Sequence, residues 1–88
     1  MSSEAVTEFD RLSSEIVSCD DHDDMCEHAV AIGLHVYKTI GVPDPDSSAD
    51  HTTVYNNIPD ALFTNDSAVQ AELLKQASEA FRRILCDN

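Results

Sequence analysis

Glycine occurs only twice in 88 residues, tryptophan is absent, and Lys and Arg together number five. Each shortage excludes a class of function. Phosphate loops and nucleophile elbows need glycines at set spacings, and no G-x-x-x-x-G-K-[ST], G-x-S-x-G or H-E-x-x-H occurs here, so neither an enzyme nor a bound cofactor is expected. So few cations argue against direct contact with nucleic acid or an anionic membrane. No apolar run approaches the roughly 18 residues that span a bilayer. Cysteines number three, an odd count, and the opening MSSEAVTEFDRL lacks both a basic and an apolar segment. A secretory signal and a disulfide framework are therefore not expected, and reduced thiols in a cytoplasmic protein are. No segment alternates with the period of two that a half-buried strand requires.

What the chain does contain is acid and periodic apolar residues. Formal net charge is −12, from 17 acidic and five basic side chains. Residues 1–66 hold 14 of the acids against Arg11 and Lys38, whereas residues 67–88 hold three of each sign. The whole imbalance thus lies upstream of the last predicted helix. Such a field attracts basic protein surfaces, although solubility or adaptation to high salt accounts for acidity as well. Apolar residues make up 42% of the chain and recur at helical spacing, which sets it apart from a disordered acidic tail.

Four helical segments are expected, at about 3–18, 21–40, 51–63 and 66–86, in one domain spanning 1–88. In the first, Ser2 or Ser3 provides a cap, and Val6, Phe9, Leu12 or Ser13, and Ile16 form the buried stripe. The second begins among Asp20–Asp24 and carries two adjacent stripes. Met25, Ala29, Ile32, Val36 and Ile40 make one, and Cys26, Val30, Gly33 and Tyr37 make the other, so this helix is expected to face more than one neighbour. Gly33 predicts a close backbone approach, and Gly41 followed by Val42-Pro43 predicts the stop. After the polar loop PDPDSSAD, Asp50 is the expected cap of a short element with Val54, Ile58 and Leu62 in line. Pro59 should break it, because proline lacks the N–H an interior helical position donates. In the last helix Ser67 to Gln70 has the form of a capping box, with Val69, Leu73, Ala77, Ala80, Phe81 and Ile84 as the stripe. The expected fold is all-α, a small antiparallel bundle of three main helices plus one short broken one.

Two clusters invite a reading as metal sites. Cys19, His22, Cys26 and His28 crowd four ligand types into ten residues, but on a helix His28 points away from Cys26, and zinc needs tetrahedral convergence. Asp20, Asp21, Asp23 and Asp24 resemble the start of a calcium loop, yet Met25 and Ala31 stand where an EF-hand needs glycine and glutamate. No metal is therefore expected. Helix capping accounts for one or two of these carboxylates, and the surplus points to a partner.

The segment DHTTVYNNIP, Asp50 to Pro59, resembles the short third helix of colicin and pyocin nuclease immunity proteins, and Thr7 to Ile16 resembles their first helix. Those proteins are acidic four-helix domains of this size that offer paired tyrosines to a nuclease. Here Tyr55 stands alone after Val54, so no functional residue is carried over. Phage inhibitors that mimic DNA share the composition. The expected function is a non-enzymatic module that inhibits or masks a basic nucleic-acid-handling protein, such as a nuclease or DNA-binding protein. Partner contacts are assigned to Glu15, Asp20, Asp21, Asp23, Asp24, Glu27, Asp44, Asp46, Asp50 and Tyr55. The alternatives are a structural or regulatory homodimer whose acidity serves solubility and, ranked after it, a small helical protein whose folding responds to metal through Cys19, His22 and Cys26.

Overall fold

A computed structural model describes the backbone of residues 2–44, 46 and 48–86, and the side chains of that range from residue 4 onward. It is all-α among the described residues: α1 Ser2–Ser18, α2 His22–Ile40, α3 Ala49–Phe63 and α4 Ser67–Cys86. Each helix packs on the next in the chain, and α4 closes the ring on α1; the α3–α4 pairing is the most extensive and α2–α3 the slightest. The pairings are antiparallel. His35 Nε2 donates to the Ala5 carbonyl at 2.9 Å while His28 approaches Glu15, so residue numbers run in opposite senses along α1 and α2. On α3 and α4 the same holds for Asn57 with Leu73, Ala61 with Gln70 and Asp50 with Arg83.

One buried cluster draws on all four helices. Phe9 and Phe81 stack with ring centroids 5.0 Å apart at its centre, and Ile16, Ile32, Val36 and Val54 are also fully buried. The α1 stripe lies as its spacing predicts, with Val6, Phe9, Leu12, Ser13 and Ile16 all buried. The capping role given to Ser2 or Ser3 concerns side chains outside the described residues.

Local chemistry sets the helix ends. Asp21 caps α2 by accepting from the Asp23 N–H at 2.9 Å, as expected of a carboxylate at an N-cap. Gly41 ends α2 with φ 86° and ψ −177°, a conformation that side-chain-bearing residues avoid, and donates its N–H to the Tyr37 carbonyl. Two caps differ from expectation. Ser48 caps α3 by accepting from His51 N–H, which leaves Asp50 in the first turn, where it accepts from Arg83. Asp66 caps α4 by accepting from Ala68 N–H at 2.9 Å. Ser67 is therefore the first helical residue, and the capping box expected at Ser67–Gln70 does not form: Val69 stands three residues after the cap, and Gln70 turns to Ala61.

Two further expectations are corrected. The third helix is neither short nor broken: it runs unbroken for 15 residues with Pro59 inside. Pro59 is exposed, while Val54, Ile58 and Ala61 bury against α4 and the core. Burial on one face outweighs the hydrogen bond that proline forfeits on the other. On α4 the buried face runs through Gln70 and Leu74 before Ala77, Ala80, Phe81 and Ile84, with Val69 exposed and Leu73 half-buried. Gln70 enters the core because its Nε2 donates to the Ala61 carbonyl at 3.0 Å. That carbonyl lies in the last turn of α3 and lacks a helical donor.

Candidate functional site

Among the described residues the second stripe of α2 is only partly covered: Cys26 and Gly33 are half-buried, and the rest stands open. Val30 is 62% exposed, Leu34 54% and Tyr37 44%, and they form one wall of a groove of about 520 Å³ against Ile58, Pro59 and Leu62 of α3. The slight α2–α3 pairing is the cause: these helices touch through few side chains, leaving the apolar channel open. Gly33 lies on this wall, and a Cβ added to it would meet nothing within 4 Å. The close backbone approach expected at Gly33 is therefore absent, and the glycine instead leaves a notch in the groove.

Tyr55 closes one end. Its hydroxyl donates to the Gly41 carbonyl at 2.5 Å, and its ring lies 6.0 Å from that of Tyr37. Burial, and then the neighbouring Tyr37, push the Tyr55 phenol above its ordinary value, so it stays protonated as a donor. Tyr55 thus latches α3 to the end of α2, and its ring also lines the groove.

The acids assigned to partner contact divide by environment. Asp20, Asp21, Asp23, Asp24 and Glu27 are all exposed at the head of α2. Among the described residues, no ion pair involves any of them. Asp44 and Asp46 are exposed beyond the other end of α2. Glu15 and Asp50 are engaged within the molecule. Arg11 donates to Glu8 and Glu15, and His28 Nδ1 lies 3.2 Å from Glu15. Arg83 donates to Asp50 at 2.9 Å, and that hydrogen bond holds the Asp50 carboxyl below its usual value.

The Cys/His cluster is dispersed. Cys19 and His22 line a cavity of about 350 Å³ at the base of the bundle with Asp20, Met25 and Gln70. Cys26 faces the α2/α3 groove, and His28 faces Glu15. Burial raises the Cys19 thiol, and Asp24, Asp20, Asp21 and Glu15 raise it further, which disfavours the thiolate a nucleophile or metal ligand requires. Among the described residues no group of three or more His, Cys, Asp or Glu converges to hold a metal. A further groove of about 450 Å³ between α1 and α4 is edged by Asp10, Ser13, Ser14, Lys75 and Ser78.

Compared with known proteins, the chain matches no family model, no curated protein and no solved structure. No described helix is long and apolar enough to cross a membrane.

Sequence reasoning missed three residues that shape the site. Val30 was expected to be packed, and it is exposed. Leu34 belonged to neither stripe, yet it stands beside Val30 on the groove wall. Pro59, a helix breaker by its local chemistry, instead lines the opposite wall. The available signal was the width of the apolar face on α2, which exceeds what two neighbouring helices cover.

Proposed function

We propose that this protein is a non-enzymatic acidic binding module that captures, and thereby inhibits or masks, a basic nucleic-acid-handling protein such as a nuclease or DNA-binding protein. One observation carries the reading: the carboxylates of Asp20, Asp21, Asp23, Asp24 and Glu27 stand exposed at the head of α2, with no ion pair to any of them among the described residues. Capping needs one of them, and Asp21 fills that role. The rest repel one another, a cost that a cationic partner would remove. Asp44 and Asp46 extend the acidic surface to the other end of α2, whose 19 residues make it about 28 Å long. Glu15 and Asp50, already paired, contribute field rather than direct contact, and Tyr55 contributes its ring. Nucleic acid and anionic lipid are repelled by the same field.

The test is capture of a basic protein partner over a salt gradient, from about 50 to about 500 mM, across which screening lengths shorten several-fold. Affinity should fall steeply with salt, and replacing Asp20, Asp23 and Asp24 by Asn should weaken it while Asp21 is kept as the cap. Capture indifferent to both changes would sink the reading.

A second reading, the regulatory homodimer, draws on the exposed apolar face at Val30, Leu34 and Tyr37. It predicts a melting temperature that rises with protein concentration. Opposing it, two copies each carrying −12 would have to meet.

A further inference from the structure

Resting on the binding-module reading, we infer that the α2/α3 groove is the docking site and that its occupant is a cationic amphipathic helix. The groove is concave, solvent-facing and apolar, with Tyr55 at one end, and two antiparallel helices with a channel between them offer the seat that an amphipathic helix fills with an i, i+3/i+4, i+7 row of apolar anchors. Val30, Leu34 and Tyr37 on one wall and Ile58, Pro59 and Leu62 on the other supply apolar contact on both sides.

Charge selects the occupant. Asp23, Glu27, Val30 and Leu34 are spaced by four, three and four residues, so acid and apolar groups share one surface row of α2. On α3 the exposed Asp60 follows Pro59, and Asp44 and Asp46 lie beyond the far end of α2. The sole Lys or Arg on α2 is Lys38. A ligand with an apolar stripe flanked by Lys and Arg matches this rim, whereas a second copy of this chain would set acid against acid. A helix as long as α2 holds the same 19 residues, so a ligand of about 18 spans nearly its length at 1.5 Å per residue.

The probe is a synthetic peptide of about 18 residues built from Leu, Lys and Ala, with the leucines in one helical stripe. Its control has the same composition in an order that destroys the stripe. Titration calorimetry should give the striped peptide at least about tenfold tighter binding than its control, with a gain of peptide helicity by circular dichroism. Val30→Ser with Leu34→Ser should lower that affinity by at least about tenfold, since both side chains are groove anchors. The thermal melt should fall by only a few degrees, because both side chains are more than half exposed. Asp23→Asn with Glu27→Gln should flatten the salt dependence.

Three outcomes overturn the inference. If the two peptides bind alike and the serine variant is indifferent, the groove is not the site, although salt-sensitive capture would leave the binding-module reading standing. If neither peptide binds at low salt, the occupant is wrong. If the protein sediments as a dimer that the serine variant dissociates, a second copy fills the groove. Striped-peptide binding lost on Val30→Ser/Leu34→Ser, together with protein capture indifferent to salt and to the Asp20, Asp23 and Asp24 changes, would retain the groove and sink the wider reading.

Discussion

Gln70 and Asp50 are polar residues whose roles depend on a partner across the α3–α4 pairing. Gln70 is 4% exposed and satisfies the Ala61 carbonyl near the end of α3. Gln70→Leu leaves that carbonyl buried and unpaired, so it should destabilise the fold by about 1–3 kcal/mol in urea unfolding, despite the apolar replacement. Asp50 is exposed enough that its pairing with Arg83 is read best by titration. The hydrogen bond from Arg83, and then its charge, lower the folded carboxyl below the unfolded value. The pair's contribution is therefore present above the ordinary carboxylate range and is lost as pH falls through the lowered folded value. Arg83→Met should return the Asp50 titration, followed by carboxyl NMR, upward. Its stability difference from the parent should shrink in acid. Neither partnership was legible in sequence, where Gln70 reads as a capping residue and Asp50 as a cap, because each depends on a group many residues away.

At the scale of elements, α3 is the instructive case. Its apolar spacing at Val54 and Ile58 marked a helix, but Pro59 argued for a break, and the two local signals conflicted. Packing against α4 resolved the conflict in favour of continuity. The proline still removes the donor that would reach the Tyr55 carbonyl. Pro59→Ala should therefore raise stability by about 1–3 kcal/mol, read as a higher urea midpoint with unchanged slope. The same substitution removes part of one groove wall, so it should also weaken any ligand seated there. In α1 and α2, by contrast, stripe spacing, the Asp21 cap and the Gly41 stop all agreed, and those helices lie where expected.

The whole molecule is governed by its charge. At −12, with Asp20, Asp21, Asp23, Asp24 and Glu27 outside any described ion pair, the folded state carries self-repulsion that salt screens. Its melting temperature should rise between about 50 and about 500 mM sodium chloride, the opposite of the trend expected if surface ion pairs such as Arg11–Glu15 dominated. Partner capture should weaken over the same range, so stability and binding respond to salt with opposite signs. That contrast separates a field that destabilises the free protein from contacts that stabilise a complex.

The all-α class, the approximate helix limits, the α1 core stripe and the acidic head of α2 were determined by sequence alone, since periodicity, capping chemistry and charge act over a few residues. Tertiary structure decided which of the two α2 stripes is buried, whether Pro59 ends α3, and which acids remain unpaired. These depend on how closely α2 approaches α3 and on where Arg83, Gln70 and Tyr55 find partners. The groove itself follows from that same spacing: Val30 and Leu34 are ordinary helical apolar residues in sequence, and they become a surface because none of the described helices lies over them.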